Sequence, residues 1–175
     1  RIFLSRNGYI YYLLGSHDDF LRIFKHTVRM KKEFMLKALE NAKAAFDAGD
    51  VPVGAVIVKD GKIIAQAYNE REMSSRATAH AEVLAIERAC EKLGRWRLSD
   101  CEMYVTLEPC PMCAGAILNA RLGKVYFALK DANAGALGSV LNLNSYPLLY
   151  KVSVEQGSCE EESRALLSEF FKNRR

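Results

Sequence analysis

Apolar residues recur every three to four positions through Phe34, Ala38, Leu39, Ala42, Ala45 and Phe46. This spacing predicts an amphipathic helix that opens near Met30 and stops at Gly49. Two apolar runs follow, "VGAVIV" (53–58) and "IIAQAY" (63–68), separated by "KDGK". Asp-Gly between two such runs predicts a β-hairpin. A polar loop spans 69–78, and a helical pattern then runs from about Ala79 to Leu93 and ends at Gly94. "EMYVTL" (102–107) and "KVYFAL" (124–129) read as buried strands, with a helix of about ten residues between them from Pro111 to Ala120. Strand, short helix and strand form a parallel crossover unit. A loop rich in Gly, Ala and Asn (131–139), a weak strand at 152–155 and a closing helix at 159–172 complete the pattern. Together these elements predict a mixed sheet with helices on both faces.

Residues 1–29 show no clear periodicity. They are expected to form an N-terminal extension with little structure and no part in the chemistry, while residues 30–175 form one domain. A chain of 175 residues can bury one proper core. Its 25 basic and 21 acidic residues leave a mild positive balance. That is compatible with a nucleic-acid partner without requiring one. The five cysteines, Cys90, Cys101, Cys110, Cys113 and Cys159, are odd in number and spread out. They do not resemble a disulfide framework, which points to a reducing compartment and a cytoplasmic location. Cys90, Cys101 and Cys159 read as small buried hydrophobes. No apolar run reaches the roughly 20 residues that cross a bilayer, so no membrane partner is expected, and no secretory signal is read.

The stretch "TLEPCPMCAGA" (106–116) places Cys110 and Cys113 two residues apart at the predicted start of a helix. A thioredoxin-type redox pair occupies a similar strand-to-helix position. A structural zinc site needs a fourth protein ligand, commonly from a second close pair of Cys or His, and the chain has no such pair. It has instead "TAHAEVLA" (78–85), where His80 is the sole histidine after residue 29. His80 with Cys110 and Cys113 makes three ligands suited to Zn2+, with the fourth tetrahedral position left for water, as in a catalytic site. The amides and dipole of a helix N-terminus favour thiolate at the two cysteines. On a regular helix His80 and Glu82 would point about 200° apart. At the first turn the chain is only partly helical, and the Glu82 carboxylate can stand beside the metal-bound water. The combined pattern H-x-E…P-C-x-x-C is the signature of zinc-dependent nucleobase deaminases, in which the glutamate moves protons.

From about Met30 to Arg175 the chain also resembles the bacterial tRNA-specific adenosine deaminases, in the blocks "VPVGAVIV", "YNER", "TAHAE", "TLEPCPMCAGAI", "KDANAGALGS" and "ALLSEFFKNRR". The resemblance implies a cytidine-deaminase-like three-layer α/β/α sandwich, a homodimer, and conversion of the wobble adenosine of a tRNA anticodon loop to inosine. It implies one Zn2+ per chain on His80, Cys110 and Cys113, with Glu82 as the proton shuttle. Asn69 and the backbone at Ala81 would contact the everted nucleoside, and Asp131 would lie in an RNA-contacting loop. Phe170, Phe171, Lys172, Arg174 and Arg175 would lie beside the anticodon. Asn69 could instead simply end a strand, and one of the two phenylalanines could belong to the core. Trp96 could be a stacking platform or be partly buried. Pro111 also occurs in guanine deaminases, so a free-base deaminase acting on guanine or cytosine is the alternative substrate reading. A zinc-stabilised RNA-binding module is the non-enzymatic one. The blocks "DANAGALGS" and "SEFF" with its basic tail favour tRNA.

Overall fold

In the computed structural model the backbone is described for residues 2–4, 10–12 and 17–172, and side chains for residues 21–172. Two short antiparallel strands, β1 (Ile2–Leu4) and β2 (Ile10–Tyr12), precede the long helix α1 (His17–Asp47). The hairpin follows as β3 (Gly54–Lys59) and β4 (Lys62–Tyr68), then a one-turn helix α2 (Arg71–Ser74) and helix α3 (Ala81–Leu93). Strand β5 (Cys101–Leu107), helix α4 (Pro111–Asn119) and strand β6 (Lys124–Leu129) form the crossover unit. A 3-10 turn at Leu143–Ser145, strand β7 (Ser153–Gln156) and helix α5 (Glu160–Lys172) end the described chain.

The main sheet has the order β4-β3-β5-β6-β7. Strand β3 is antiparallel to β4 and β5, whereas β5, β6 and β7 run parallel. Asp60 and Gly61 join β3 to β4 with φ of 50° and 72°, the double positive φ of a type I′ turn that Asp-Gly accommodates. Side chains alternate across the strands. Ala55, Ile57, Met103, Val105, Val125 and Phe127 pack beneath α3 and α4. Their neighbours Val56, Val58, Tyr104, Tyr126 and Ala128 meet Phe34, Met35 and Ala38 of α1 on the opposite face. The result is the expected mixed sheet between two helical layers. Among the described residues, no helix is long and apolar enough to cross a membrane.

Helix α1 starts at His17, well before the Met30 start read from the sequence, and passes through residue 30 without a break. No glycine or proline interrupts 17–47, so nothing in the backbone stops the helix there. Its apolar residues Phe24 and Val28 remain 57% and 51% exposed, so this part carries little of the burial that marks a helix in a sequence. The polar loop read at 69–78 also contains the single turn of α2.

Helix α1 crosses β3 at Gly54 in backbone-to-backbone contact. A Cβ there would lie 2.5 Å from the Ala42 nitrogen and 2.7 Å from the Asn41 Cβ, and would also strike the Ala38 carbonyl oxygen. Most of these atoms are helix backbone and cannot rotate away. Gly54→Ala is therefore expected to destabilise the fold by about 1–3 kcal/mol, measured by chemical denaturation. A variant as stable as the parent would show that the helix can lift without cost.

Candidate metal centre and its cavity

Two helix starts meet above the sheet. His80 is the N-cap of α3, with extended φ and ψ of −77° and 149°, and Cys110 is the N-cap of α4, with Pro111 in the first turn. Proline suits that position because its missing N–H would have no helical partner there. The His80 Nδ1 lies 3.5 Å from the Cys113 Sγ and 3.8 Å from the Cys110 Sγ. The three ligand atoms all lie within 4.8 Å of one another. Zinc bonds of about 2.3 Å to sulfur and about 2.0–2.1 Å to nitrogen, at a tetrahedral angle, require roughly 3.6 Å between an imidazole nitrogen and a sulfur. The spacing and softness of this donor set therefore fit a zinc ion, with one position free.

Glu82 is buried at 4% exposure and lines the same cavity as His80 and Cys110. His80 belongs to the extended approach to the helix and Glu82 to its first turn, so the divergence of a regular helix does not separate them. Burial raises the Glu82 carboxyl above the usual carboxylate range, because desolvation penalises its charged form. Hydrogen bonding from Cys113, assisted by His80, lowers Cys110 to about 4, and the same bond to Cys110 together with burial raises Cys113.

The cavity, about 170 Å3, is lined by Val51, Val53, Asn69, Arg71, His80, Glu82, Leu107, Glu108, Cys110, Asp131 and Ala134. Its volume is below the range of drug-sized ligand sites, about 300–1,000 Å3, and is on the scale of one small planar group. Asn69, Glu82 and Asp131, expected from the sequence to serve the substrate, are brought together here with His80 and Cys110, two of the three candidate metal ligands. Ala81 is buried as the first residue of α3, a position whose amide has no intrahelical acceptor. Asp131 is also occupied within its own loop, since its Oδ1 accepts from the amides of Asn133 (2.9 Å) and Ala134 (3.2 Å).

The closing helix places its two phenylalanines differently, and neither lines this cavity. Phe170 is buried at 5% exposure. It packs edge-on against Phe46 at 5.9 Å between ring centres, which suits a core contact and not an RNA platform. Phe171 is 51% exposed. Arg174 and Arg175 lie outside the described residues. Trp96 is half exposed and away from the cavity lining, with the Arg97 and Arg121 guanidinium groups 4.8 and 4.9 Å from its ring centre. Cys101 and Cys159 are buried and Cys90 is half-buried; all three are free thiols.

Two acidic residues central to this architecture escape sequence reasoning. Asp50 is fully buried behind Asn69 and accepts from the Asn69 side-chain amide at 2.7 Å. Glu108, buried at 2% exposure, holds the loop 131–139. It accepts from the backbone amides of Asp131 (3.2 Å), Leu137 (3.1 Å) and Ser139 (3.0 Å), and from the Ser139 hydroxyl. Gly135 passes so close that a Cβ would lie 2.5 Å from the Glu108 Oε2 and 2.6 Å from the Asp131 carbonyl oxygen. The one local signal for Glu108 is a charged residue directly after an apolar strand, in "TLEPC".

The chain matches the family model of MafB19-like deaminases over residues 30–175. It is 50% identical over 148 residues to a tRNA-specific adenosine deaminase of Aquifex aeolicus (strain VF5), covering 83% of this chain and 97% of that protein. A solved structure from studies of A-to-I editing by tRNA:A34 deaminases at the wobble position of transfer RNA is similar with a TM-score of 0.76 and 42% identity. The similarity covers 78% of this chain and 99% of that one. The guanine deaminase of Bacillus subtilis is similar with a TM-score of 0.56 and 38% identity, over 82% of this chain and 92% of that one.

Glu108→Gln replaces one of two acceptor oxygens with a donor facing donors. It is expected to destabilise the protein by about 1–3 kcal/mol and to speed hydrogen exchange on the side that loses its oxygen, at the Asp131 amide or at the Leu137 and Ser139 amides. Unchanged exchange at all three would mean that the carboxylate does not hold the loop.

Proposed function

The chain belongs to the tRNA-specific adenosine deaminase family, and from that premise we propose that it hydrolyses the wobble adenosine of a tRNA anticodon loop to inosine, releasing ammonia. The observation that carries this reading is the convergence of a buried carboxyl, Glu82, with His80 and Cys110 on one base-sized cavity, where Cys113 completes the cluster of three ligand atoms. A zinc-stabilised RNA-binding module needs neither a buried acid beside the ligands nor an open coordination position.

One Zn2+ per chain, held by His80, Cys110 and Cys113, would supply a water whose pKa is lowered from 15.7 toward about 7. Glu82 takes the proton from the attacking water and delivers a proton to ring N1 as the new C6–O bond forms. It then takes the remaining proton from the new C6 hydroxyl and passes it to the amine, so that the C6 carbonyl forms as the C6–N bond breaks and ammonia leaves. A carboxyl whose affinity for protons is raised by burial suits both halves of this task, because it can accept the proton and hold it between steps. Asn69 and the Ala81 amide hold the nucleoside, with Val51, Val53 and Leu107 as apolar walls. The reacting base must leave its stack to enter, and an anticodon loop lowers that cost because its bases are already unpaired.

Outside the cavity, exposed Phe171 and Lys172 near the end of α5, with Arg174 beyond the described residues, offer an aromatic face and positive charge to unstacked RNA. Assembly as a homodimer and a cytoplasmic location accord with this role. The tRNA reading is preferred to a free-base deaminase because both the sequence identity and the TM-score are higher toward the tRNA enzymes than toward the guanine deaminase.

Incubation with an anticodon stem-loop bearing wobble adenosine, free guanine, free cytosine and cytidine tests the substrate class. Deamination of the stem-loop alone is expected, and turnover of guanine with an inert stem-loop would overturn the reading. Glu82→Gln should keep its zinc and lose about 10²–10⁴-fold in turnover; an active variant would remove Glu82 from the proton path. Cys110→Ala should lose bound zinc on metal analysis, and retention of one zinc per chain would refute the ligand assignment.

A further inference from the structure

We propose that Asp50, a residue that does not line the cavity, is the positioning residue that sets the substrate-facing amide of Asn69 and the adjoining wall. Its side chain is fully buried and binds donors from three separate pieces of chain. Oδ1 accepts from the Val51 amide at 2.9 Å and from the Asn69 Nδ2 at 2.7 Å. Oδ2 accepts from the Glu72 amide at 2.7 Å and the Met73 amide at 3.3 Å, in the single turn of α2. Val51, Asn69 and Arg71, at or beside these donors, line the cavity, and Asp50 is absent from that lining.

The chemistry of the pair determines the orientation of Asn69. A carboxylate oxygen only accepts, so the group that meets it must be the amide nitrogen. Among the described residues, this leaves the Asn69 carbonyl oxygen and its second N–H for a ligand, in a fixed direction. The same carboxylate caps a helix of four residues, which is too short to be stable alone and which carries Arg71 into the wall. Removing the acceptor would leave the amide of Asn69 free to turn and the backbone amides of α2 without their partner, while His80, Cys110 and Cys113 keep their places.

This inference rests on the reading of Asn69 as a substrate contact, and two separate measurements distinguish its failure from the failure of that reading. The first needs no turnover. In the zinc-loaded protein, hydrogen exchange followed by NMR should show protected Glu72 and Met73 backbone amides and a slowly exchanging Asn69 side-chain amide. Asp50→Asn, which turns one acceptor oxygen into a donor facing donors, should abolish protection on that oxygen's side, either at the Asn69 side-chain amide or at the Glu72 and Met73 amides, while zinc content stays at its parental level; unchanged protection at all three would overturn the proposal. If Asp50→Asn does not fold, Asp50→Glu, which keeps the charge on a longer arm, is expected to show the same loss.

The second measurement is a double-mutant cycle on the wobble-adenosine stem-loop with Asp50→Asn, Asn69→Ala and the double variant. Asp50→Asn alone should lower kcat/KM by about tenfold or more, and in the Asn69→Ala background it should add less than about twofold. An equal loss in both backgrounds would show that Asp50 acts only on the fold and would overturn the proposal. A fully active Asn69→Ala would instead refute the substrate role of Asn69, and with it the transmission through that residue. A parent protein inert on the stem-loop would refute the substrate class, and the exchange experiment would then decide the positioning role alone.

Discussion

The structure depends on bringing two helix N-termini to one point. His80 and Cys110 cap different helices, 30 residues apart in the chain, yet their ligand atoms stand at the spacing of a shared tetrahedral ion. Neither helix could hold this position without close packing on the sheet. Ala81, Ala85 and Ala89 of α3 and Ala114 of α4 are all fully buried, and such small side chains let the helices settle close to the strands. The parallel pairing of β5 with β6 then aims α4 so that its first turn, where unsatisfied amides favour thiolate, opens toward α3. The proposed chemistry follows from this convergence, because the buried carboxyl of Glu82 enters the cavity on the same helix turn.

Around that point, two buried carboxylates, Asp50 and Glu108, do comparable work on different walls. Each collects backbone amides from irregular chain and converts a loop into a shaped surface. Irregular segments have few ways to satisfy their amides internally, and a buried acceptor with two oxygens answers up to four of them. Glu108 orders the loop that bears Asp131 and Ala134, and Asp50 orders the approach to Asn69 and Arg71. The cavity is thus shaped by a carboxylate outside its lining, Asp50, as well as by one within it, Glu108.

Much of the architecture was legible in the sequence because its signals are local. The Asp60-Gly61 turn, the stops at Gly49 and Gly94 and the strand–helix–strand unit each announce themselves within a dozen residues, and the cytidine-deaminase-like sandwich is present as expected. The cluster of His80, Cys110 and Cys113 was legible for a similar reason, since each ligand-bearing segment opens a recognisable helix. The early start of α1 was not, because Phe24 and Val28 stay exposed and the burial that sharpens periodicity is missing. Helix α2 escaped because its cap comes from Asp50, 22 residues before the Glu72 amide it accepts from. Glu108 likewise reaches amides 29 and 31 residues away. Only the folded chain reveals such partners. The pair Phe170 and Phe171 divides between core and solvent because adjacent residues on a helix point about 100° apart.

The central claim, that one imidazole and two thiolates hold a zinc ion with an open position, is tested most directly by X-ray absorption at the zinc edge of the purified protein. The account predicts two sulfur neighbours at about 2.3 Å and two nitrogen or oxygen neighbours at about 2.0–2.1 Å. A shell without sulfur, or one of four sulfurs, would contradict it.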